Sequence, residues 1–186
     1  MTAQVLSSAP AQPILRKPTR SDGANLHELI ARCPPLDLNS GYAYLLLCEH
    51  HADTCVVAEL DGRLVGAVTA YCPPARPDTL FVWQVAVAPE MQGKRLASRM
   101  LDRLIERCAA ERSLRFVEAT ISPSNMASRK LFTGFATRHG LNIAGSLLLS
   151  AADFGSGDHE EEWLYQIGPW PRACVRVANH PSTIHP

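Results

Sequence analysis

Three groups of residues in this chain are of types that do chemistry. The first is Gln92-Gly93-Lys94-Arg95-Leu96-Ala97, followed by Ser98. It lies between an apolar run, Thr79–Ala88, and an amphipathic stretch, 96–111. A short loop that opens a helix offers unpaired backbone N–H groups at the positive end of the helix dipole, so it binds anions. Gly93 lets the backbone come close to a ligand, and Lys94 and Arg95 add positive charge. A pyrophosphate fits such a cradle. The spacing is neither G-x-x-x-x-G-K-[ST] nor G-x-G-x-x-G, which excludes a P-loop and a dinucleotide fingerprint. An ordinary helix start with solvated basic residues would carry the same tetrapeptide; the flanking strand and helix favour the anion site. The second group is acidic: Asp37 in a turn, Glu118 inside an apolar strand, and Glu160 and Glu162 beside His159. A buried carboxylate without a partner is costly, so Glu118 needs either an arginine or a task. Asp37 has the plainer alternative of closing its turn or capping the next helix, and 159–162 that of a solvated acidic turn. The third group is aromatic: Tyr42 and Trp83 either wall a pocket for a cation or fill the core.

The elements that must position these residues are readable from periodicity. Ile14–Pro18 predicts a strand. A helix follows, capped by Ser21 or Asp22 and stopped by Pro34-Pro35. Leu36–Gly41 is a turn, and Tyr42–Cys48 a short apolar helix. Thr54–Leu60 and Arg63–Cys72 flank Asp61-Gly62, a strong hairpin signal. Thr79–Ala88 is apolar on both faces, with Phe81, Trp83, Val85 and Val87 expected on one side, so it predicts a central strand. Residues 96–111 show the clearest helical period. Leu114–Ile121 predicts a strand, Ser124–Phe132 a helix, and Ser146–Ser150 and Glu162–Ile167 late strands. The order describes a single α/β domain over 13–167, with ligand space at the carboxyl ends of the central strands. Residues 1–12 form a polar, disordered lead and 168–186 an extension with little core.

Composition excludes several functions. The 186 residues carry 18 basic and 18 acidic side chains, so no charge footprint suggests nucleic acid or an anionic membrane. Six cysteines without a C-x-x-C pair, and histidines without ligand spacing, predict neither a disulfide framework nor a metal site. No stretch is long and apolar enough for a membrane span, and the reading is of a cytoplasmic protein.

The 92–97 loop resembles the pyrophosphate-binding motif of the GNAT superfamily of N-acetyltransferases, [QR]-x-x-G-x-[GA], with Gln92 and Ala97 in place and Arg95 where glycine is usual. Asn125-x-x-Ser128-x-x-Leu131-Phe132 resembles the superfamily helix that borders the pantetheine arm. Asp37–Cys48, Phe81–Val85, Glu118–Asn125 and His159–Glu162 are similar to the L-2,4-diaminobutyrate acetyltransferases of ectoine synthesis. The resemblance implies a mixed, mostly antiparallel sheet flanked by helices, acetyl-CoA as cosubstrate, diaminobutyrate as acceptor and a homodimer. It implies direct attack of the amine on the thioester. On that reading Val85, Ala86, Val87, Gln92–Ser98, Asn125, Ser128 and Phe132 hold the cofactor, and the Val85 N–H serves the developing oxyanion. Asp37, Tyr42, Trp83, Glu118, His159 and Glu160 hold the substrate, with Glu118 also catalytic. Phe132 replaces the tyrosine with which many relatives protonate the thiolate. Acetyl transfer to a polyamine, an aminoglycoside or a protein N-terminus, and a non-catalytic acyl-CoA sensor, remain the rival readings.

Overall fold

The Val- and Ala-rich segments pair into a seven-stranded sheet in a computed structural model that describes residues 11–155 and 159–170. In chain order the elements are β1 (Ile14–Arg16), α1 (Gly23–Ala31), α2 (Gly41–His50), β2 (Val56–Leu60), β3 (Arg63–Tyr71), β4 (Thr79–Val87), α3 (Leu96–Glu111), β5 (Phe116–Ile121), α4 (Met126–His139), β6 (Ile143–Leu149) and β7 (Glu162–Ile167). The sheet order is β1-β2-β3-β4-β5-β7-β6. Every neighbouring pair is antiparallel except β4 and β5. A parallel pair needs a crossover, and α3 supplies it. The β2–β3 hairpin turns on Asp61 and Gly62, both at positive φ, as the twist of paired strands requires.

Helices cover both faces. α1 packs on α2 and on β3, while α3 packs on β2 and β3 from the other side and touches α4. The α3 stripe expected from periodicity is the buried one: Leu96, Met100, Leu101, Leu104, Ile105 and Cys108. Gly66 on β3 lets α3 settle; a Cβ there would stand 2.9 Å from the Met100 thioether.

Three expectations are corrected. α4 runs to His139, because Gly134 is tolerated within it and Gly140, at φ 62, ends it in the left-handed conformation. β6 begins at Ile143, three residues earlier than its apolar run, and lies beyond β7 at the sheet edge. The alternation of β4 is broken. Thr69 and Ala70 are consecutive in β3, yet they pair with Gln84 and Val82, so Trp83 is an extra residue, a β-bulge. Phe81 therefore faces the side opposite to Val85. Of the extension, Gly168–Trp170 dock on the domain, Trp170 N–H donating to Arg115 O at 2.9 Å; residues 171–186 and 1–10 lie outside the described residues.

Asp22 precedes α1 as expected but does not cap it through its side chain. Its carboxylate accepts from Arg16 at 2.7 and 2.8 Å and from the Thr19 N–H at 2.7 Å. Arg16 also donates to Glu59, so one guanidinium ties β1, the α1 start and β2. The Arg16 hydrogen bond holds the Asp22 carboxyl down at about 2. A depressed carboxyl contributes stability above its unfolded value, near 4, and loses that contribution as pH falls through the folded value. Asp22→Asn is expected to cost about 2 kcal/mol at pH 7, and the difference from wild type to shrink as pH falls toward 2. Urea denaturation at both pH values checks this; an equal difference at both would refute the ionic origin.

Candidate active site

The site begins where two parallel strands separate. β4 and β5 pair from Thr79↔Phe116 to Val82↔Ala119 and no further. β4 runs on to Val87, while β5 ends at Ile121 and leads into α4. The wedge between them is a groove of about 820 Å³. Val85 and Val87 form one wall, and Asn125, Ser128 and Leu131 of α4 the other. Cys33–Leu36, just after α1, lie along it as well.

Strand geometry decides which backbone groups face this groove. Ala88 N–H donates across to Val65 of β3 at 2.9 Å. Successive peptide groups of a strand alternate sides, so the N–H and C=O groups of Val85 and Val87 face away from β3, into the wedge. Side-chain contacts agree: Val87 O accepts from Cys33 Sγ and from Gln92 Nε2, each at 3.4 Å. The Val85 N–H thus points into the groove.

The anion cradle closes one end. Met91, Gln92, Gly93, Arg95, Leu96, Ala97 and Ser98 line the groove there. The first intrahelical bond at this end of α3 runs from Arg99 N–H to Arg95 O, which leaves the amides of Leu96, Ala97 and Ser98 free to bind an anion. Gly93 has φ +74 and Arg95 φ +58, both left-handed. The family's usual glycine at the Arg95 position has its reason in that conformation, which costs a side-chain-bearing residue about 1 kcal/mol. Arg95 keeps the backbone shape and adds a guanidinium beside the groove.

Not every expected cofactor residue lines this groove. Ala86 is buried on the strand face between the two valines, and Phe132 is buried in the core. Lys94 is exposed, with Nζ 3.8 Å from the Met91 sulfur. Lys130 and Leu131 line the groove instead. Helical spacing accounts for Leu131: positions 125, 128 and 131 fall on one face at i, i+3 steps, and 132 falls beside it. Lys130 and the Cys33–Leu36 wall had no such signal.

None of the expected acceptor residues lines this groove, but Asp37 directly follows its Cys33–Leu36 wall. His159 Nε2 lies 3.7 Å from the Asp37 carboxylate, its Nδ1 meets Glu160 O at 2.8 Å, and its ring stacks on Phe154 at 3.8 Å. The Glu160 carbonyl, then the carboxylates of Asp37 and Glu162, raise the His159 pKa. Glu160 accepts from the Ser124 N–H at 3.0 Å, and its carboxyl is held low by Ser124. So Asp37 and His159, distant in sequence, meet, with Glu160 next to His159 in the chain. Trp83 stands 41% exposed on the bulge, outside the core, and Tyr42 is exposed at the start of α2.

Glu118 stands apart from this group. It is fully buried, ion-paired with Arg76, and accepts from Gln166 Nε2 at 2.8 Å. One of its oxygens therefore has Arg76, on the β3–β4 connection, as a partner, while Oε2 is buried without a hydrogen-bond partner; neither Glu118 nor Glu162 lines the groove. Glu162 is the other carboxylate held away from water. Burial pushes its carboxyl up, against the opposing effects of His159 and the Thr120 hydroxyl. Among the described residues no group of three His, Cys, Asp or Glu side chains is arranged to hold a metal.

Arg95→Gly separates the two contributions of that position. Relief of the left-handed strain is expected to raise stability by about 0.5 kcal/mol, and loss of the guanidinium to weaken coenzyme A binding about tenfold. Thermal melts and calorimetric titration read the two effects; an unchanged Kd would mean that Arg95 points away from the ligand.

Comparison with known proteins agrees with this geometry. The Acetyltransferase (GNAT) family matches residues 24–135. L-2,4-diaminobutyric acid acetyltransferase of Bordetella parapertussis is 52% identical over 157 residues, 84% of either chain. Its namesake from Marinococcus halophilus is 45% identical, covering 86% of this chain and 91% of that one. The diaminobutyrate acetyltransferase of Paenibacillus lautus, solved with its substrate L-2,4-diaminobutyric acid and coenzyme A, superposes with a TM-score of 0.82 at 41% identity, over 87% of this chain and 98% of that one. With a wedge, a cradle and a carboxylate cluster in the places the fold provides, and with relatives this similar over nearly the whole domain, the chain belongs to the GNAT superfamily and, within it, to the L-2,4-diaminobutyric acid acetyltransferases.

Proposed function

We propose that this enzyme transfers the acetyl group of acetyl-CoA to the side-chain amine of L-2,4-diaminobutyrate, giving N4-acetyl-L-2,4-diaminobutyrate, the precursor that ring-closes to ectoine. One observation carries the reading: a groove with the α3 start at one end and Cys33–Leu36 along its wall, where the next residue, Asp37, belongs to a cluster with His159, Glu160 and Glu162. A cofactor with a pyrophosphate suits the groove, and a small molecule with two ammonium groups suits the cluster.

Acetyl-CoA supplies the activated acyl group; the chain supplies alignment, charge and a proton acceptor. Gln92, Gly93, Arg95 and the amides of Leu96–Ser98 hold the pyrophosphate, while Val85, Val87, Asn125, Ser128 and Leu131 border the pantetheine arm. The Val85 N–H donates to the carbonyl oxygen as negative charge develops there. Asp37 and Glu160 hold the ammonium groups, and Trp83 and Tyr42 offer aromatic faces to them. Glu162 takes the proton that frees the attacking amine. The amine's second proton leaves as the new amide forms and reaches the sulfur through solvent, since Phe132 offers no acid. Holding the two reactants in line supplies the remainder of the rate.

The enzyme is expected to acetylate diaminobutyrate with kcat/KM at least about tenfold above ornithine, lysine, polyamines, aminoglycosides and peptide N-termini. Mass spectrometry of the products reads this. Glu162→Gln is expected to lower kcat on the order of 100-fold and to remove the acid limb of the pH–rate profile, which the raised carboxyl sets. Failure to acetylate diaminobutyrate above background would overturn the assignment, and coenzyme A binding without turnover on any amine would favour the sensor reading.

The same reading takes the protein as a cytoplasmic homodimer without nucleic-acid or membrane partners. The five described cysteines are free thiols, which suits a reducing compartment, and no described helix is long and apolar enough to cross a membrane. β6 is an edge strand whose consecutive Leu147, Leu148 and Leu149 are all exposed, a surface suited to a second copy. Light scattering is expected to give twice the chain mass, and Leu148→Lys to shift it toward one; a monomeric wild type would refute the dimer.

A further inference from the structure

The carboxylate of Asp37 is 85% exposed, and the turn that carries it has little to hold it. Residues 37–39 make no backbone–backbone hydrogen bond among the described residues. Nine residues, 32–40, connect α1 to α2, and a free connection of that length would spread the carboxylate over many positions. Two buried side chains prevent this. Gln84 Nε2 donates to Asp37 O at 2.7 Å, and the Asn39 N–H donates to the Tyr44 hydroxyl at 3.2 Å. That hydroxyl donates in turn to Gln84 Oε1, also at 3.2 Å. Both side chains are nearly or wholly removed from solvent. The turn is thus clamped at two backbone atoms, on either side of Leu38.

The other end of the clamp is the bulge. At Gln84 the backbone N–H donates to the Thr69 hydroxyl at 3.2 Å. The bulge leaves Trp83 unpaired and brings its neighbour Gln84 onto the α2 side of the sheet, where Tyr44 meets it. One residue therefore fixes the Asp37 turn while sitting between Trp83 and Val85. The distance from the carboxylate that grips the acceptor to the N–H that serves the thioester oxygen is set through Gln84.

We propose that Gln84 and Tyr44 are positioning residues for the acceptor. Acting through the backbone of Asp37 and Asn39, they hold the Asp37 carboxylate at the height a diamine of diaminobutyrate length requires. This rests on the reading of Asp37 as a substrate ligand. Neither residue lines the groove. Their bonds are worth most inside the protein, where an unmet partner stays unmet: an apolar residue at 84 would leave the Tyr44 hydroxyl proton and the Asp37 carbonyl without their partner.

Kinetics with Gln84→Leu, Tyr44→Phe, Asp37→Asn and the double variant of Gln84 and Asp37 test the proposal, using whichever amine wild type turns over best. Gln84→Leu is expected to raise KM for the amine about tenfold while KM for acetyl-CoA changes less than about twofold. Tyr44→Phe, which keeps the ring and removes one oxygen, is expected to show the same pattern more weakly, and it carries the test if Gln84→Leu does not fold. In the Asp37→Asn background, Gln84→Leu is expected to add less than about twofold, because both changes act on one carboxylate. Equal rises in both KM values, unchanged KM for the amine, or additive effects in the double variant would each overturn it. If diaminobutyrate proves not to be the acceptor, the substrate assignment falls, but the dependence of the Gln84 effect on Asp37 is still read with the amine that is used.

Discussion

The parting of β4 from β5 after Val82↔Ala119 is the constraint on which the rest depends. A parallel pair that stayed hydrogen-bonded to its ends would satisfy the Val85 and Val87 peptide groups internally. Because the strands separate, the Val85 groups and the Val87 N–H face an open groove and require a ligand or water, while Val87 O is met by Cys33 and Gln92. The same divergence sets the α4 start, with Asn125 and Ser128, opposite β4, and it aims the α3 start at the groove's end. The loss of a few ladder bonds thus yields a row of oriented donors, an anion cradle and an apolar channel between them. Nothing in that arrangement depends on which amine is acetylated, which explains why a likeness at this end speaks only for the cofactor.

A second irregularity in the same strand holds the turn that carries Asp37. The bulge at Trp83 brings an indole toward solvent and a glutamine into the interior, the reverse of what burial preferences suggest. The exchange makes sense only with the α1–α2 turn in place. Gln84 is satisfied by Tyr44 and the Asp37 backbone, so its burial leaves no amide group without a partner. The acidic cluster is assembled from separate segments: Asp37 on the α1–α2 connection, Glu160 just before β7 and Glu162 at its start, with the Ser124 N–H of the β5–α4 connection holding Glu160. Such a pocket can change its acceptor by changing loops while the sheet keeps the cofactor fixed.

Periodicity was a sound guide wherever one face of an element meets one neighbour. α3 and its stripe, the Asp61-Gly62 hairpin and the central place of β4 all follow from residue patterns, and so does the position of the Gln92–Ala97 loop at the α3 start. What the pattern could not show is position along a strand that departs from ideal pairing. An alternating sequence has no mark for an extra residue, so Trp83 was assigned to the same side as Val85, and Phe81 with it. Cys33–Leu36 carries no chemistry of its own and lines the groove only because α1 ends there. Glu118 was legible as a residue in need of a partner, but not which one: Arg76 lies 42 positions away, on a connection whose path the sequence does not reveal. His159 and Asp37 come together by the same long-range folding.

Charge is distributed as the chemistry requires even though the chain is neutral overall. Arg95 and the α3 amides concentrate positive potential in the groove, and Asp37, Glu160 and Glu162 concentrate negative potential in the separate cluster around His159. The two regions cannot exchange roles. A diamine placed at the cradle would meet like charge, and a pyrophosphate placed among the carboxylates would be repelled. Burial acts on the proposed chemistry in two places: the apolar walls of the groove strengthen the Val85 N–H as a donor, and removal from water raises the Glu162 carboxyl. The two places are distinct, so a substitution that wetted the groove would weaken the donor and leave the base as it is.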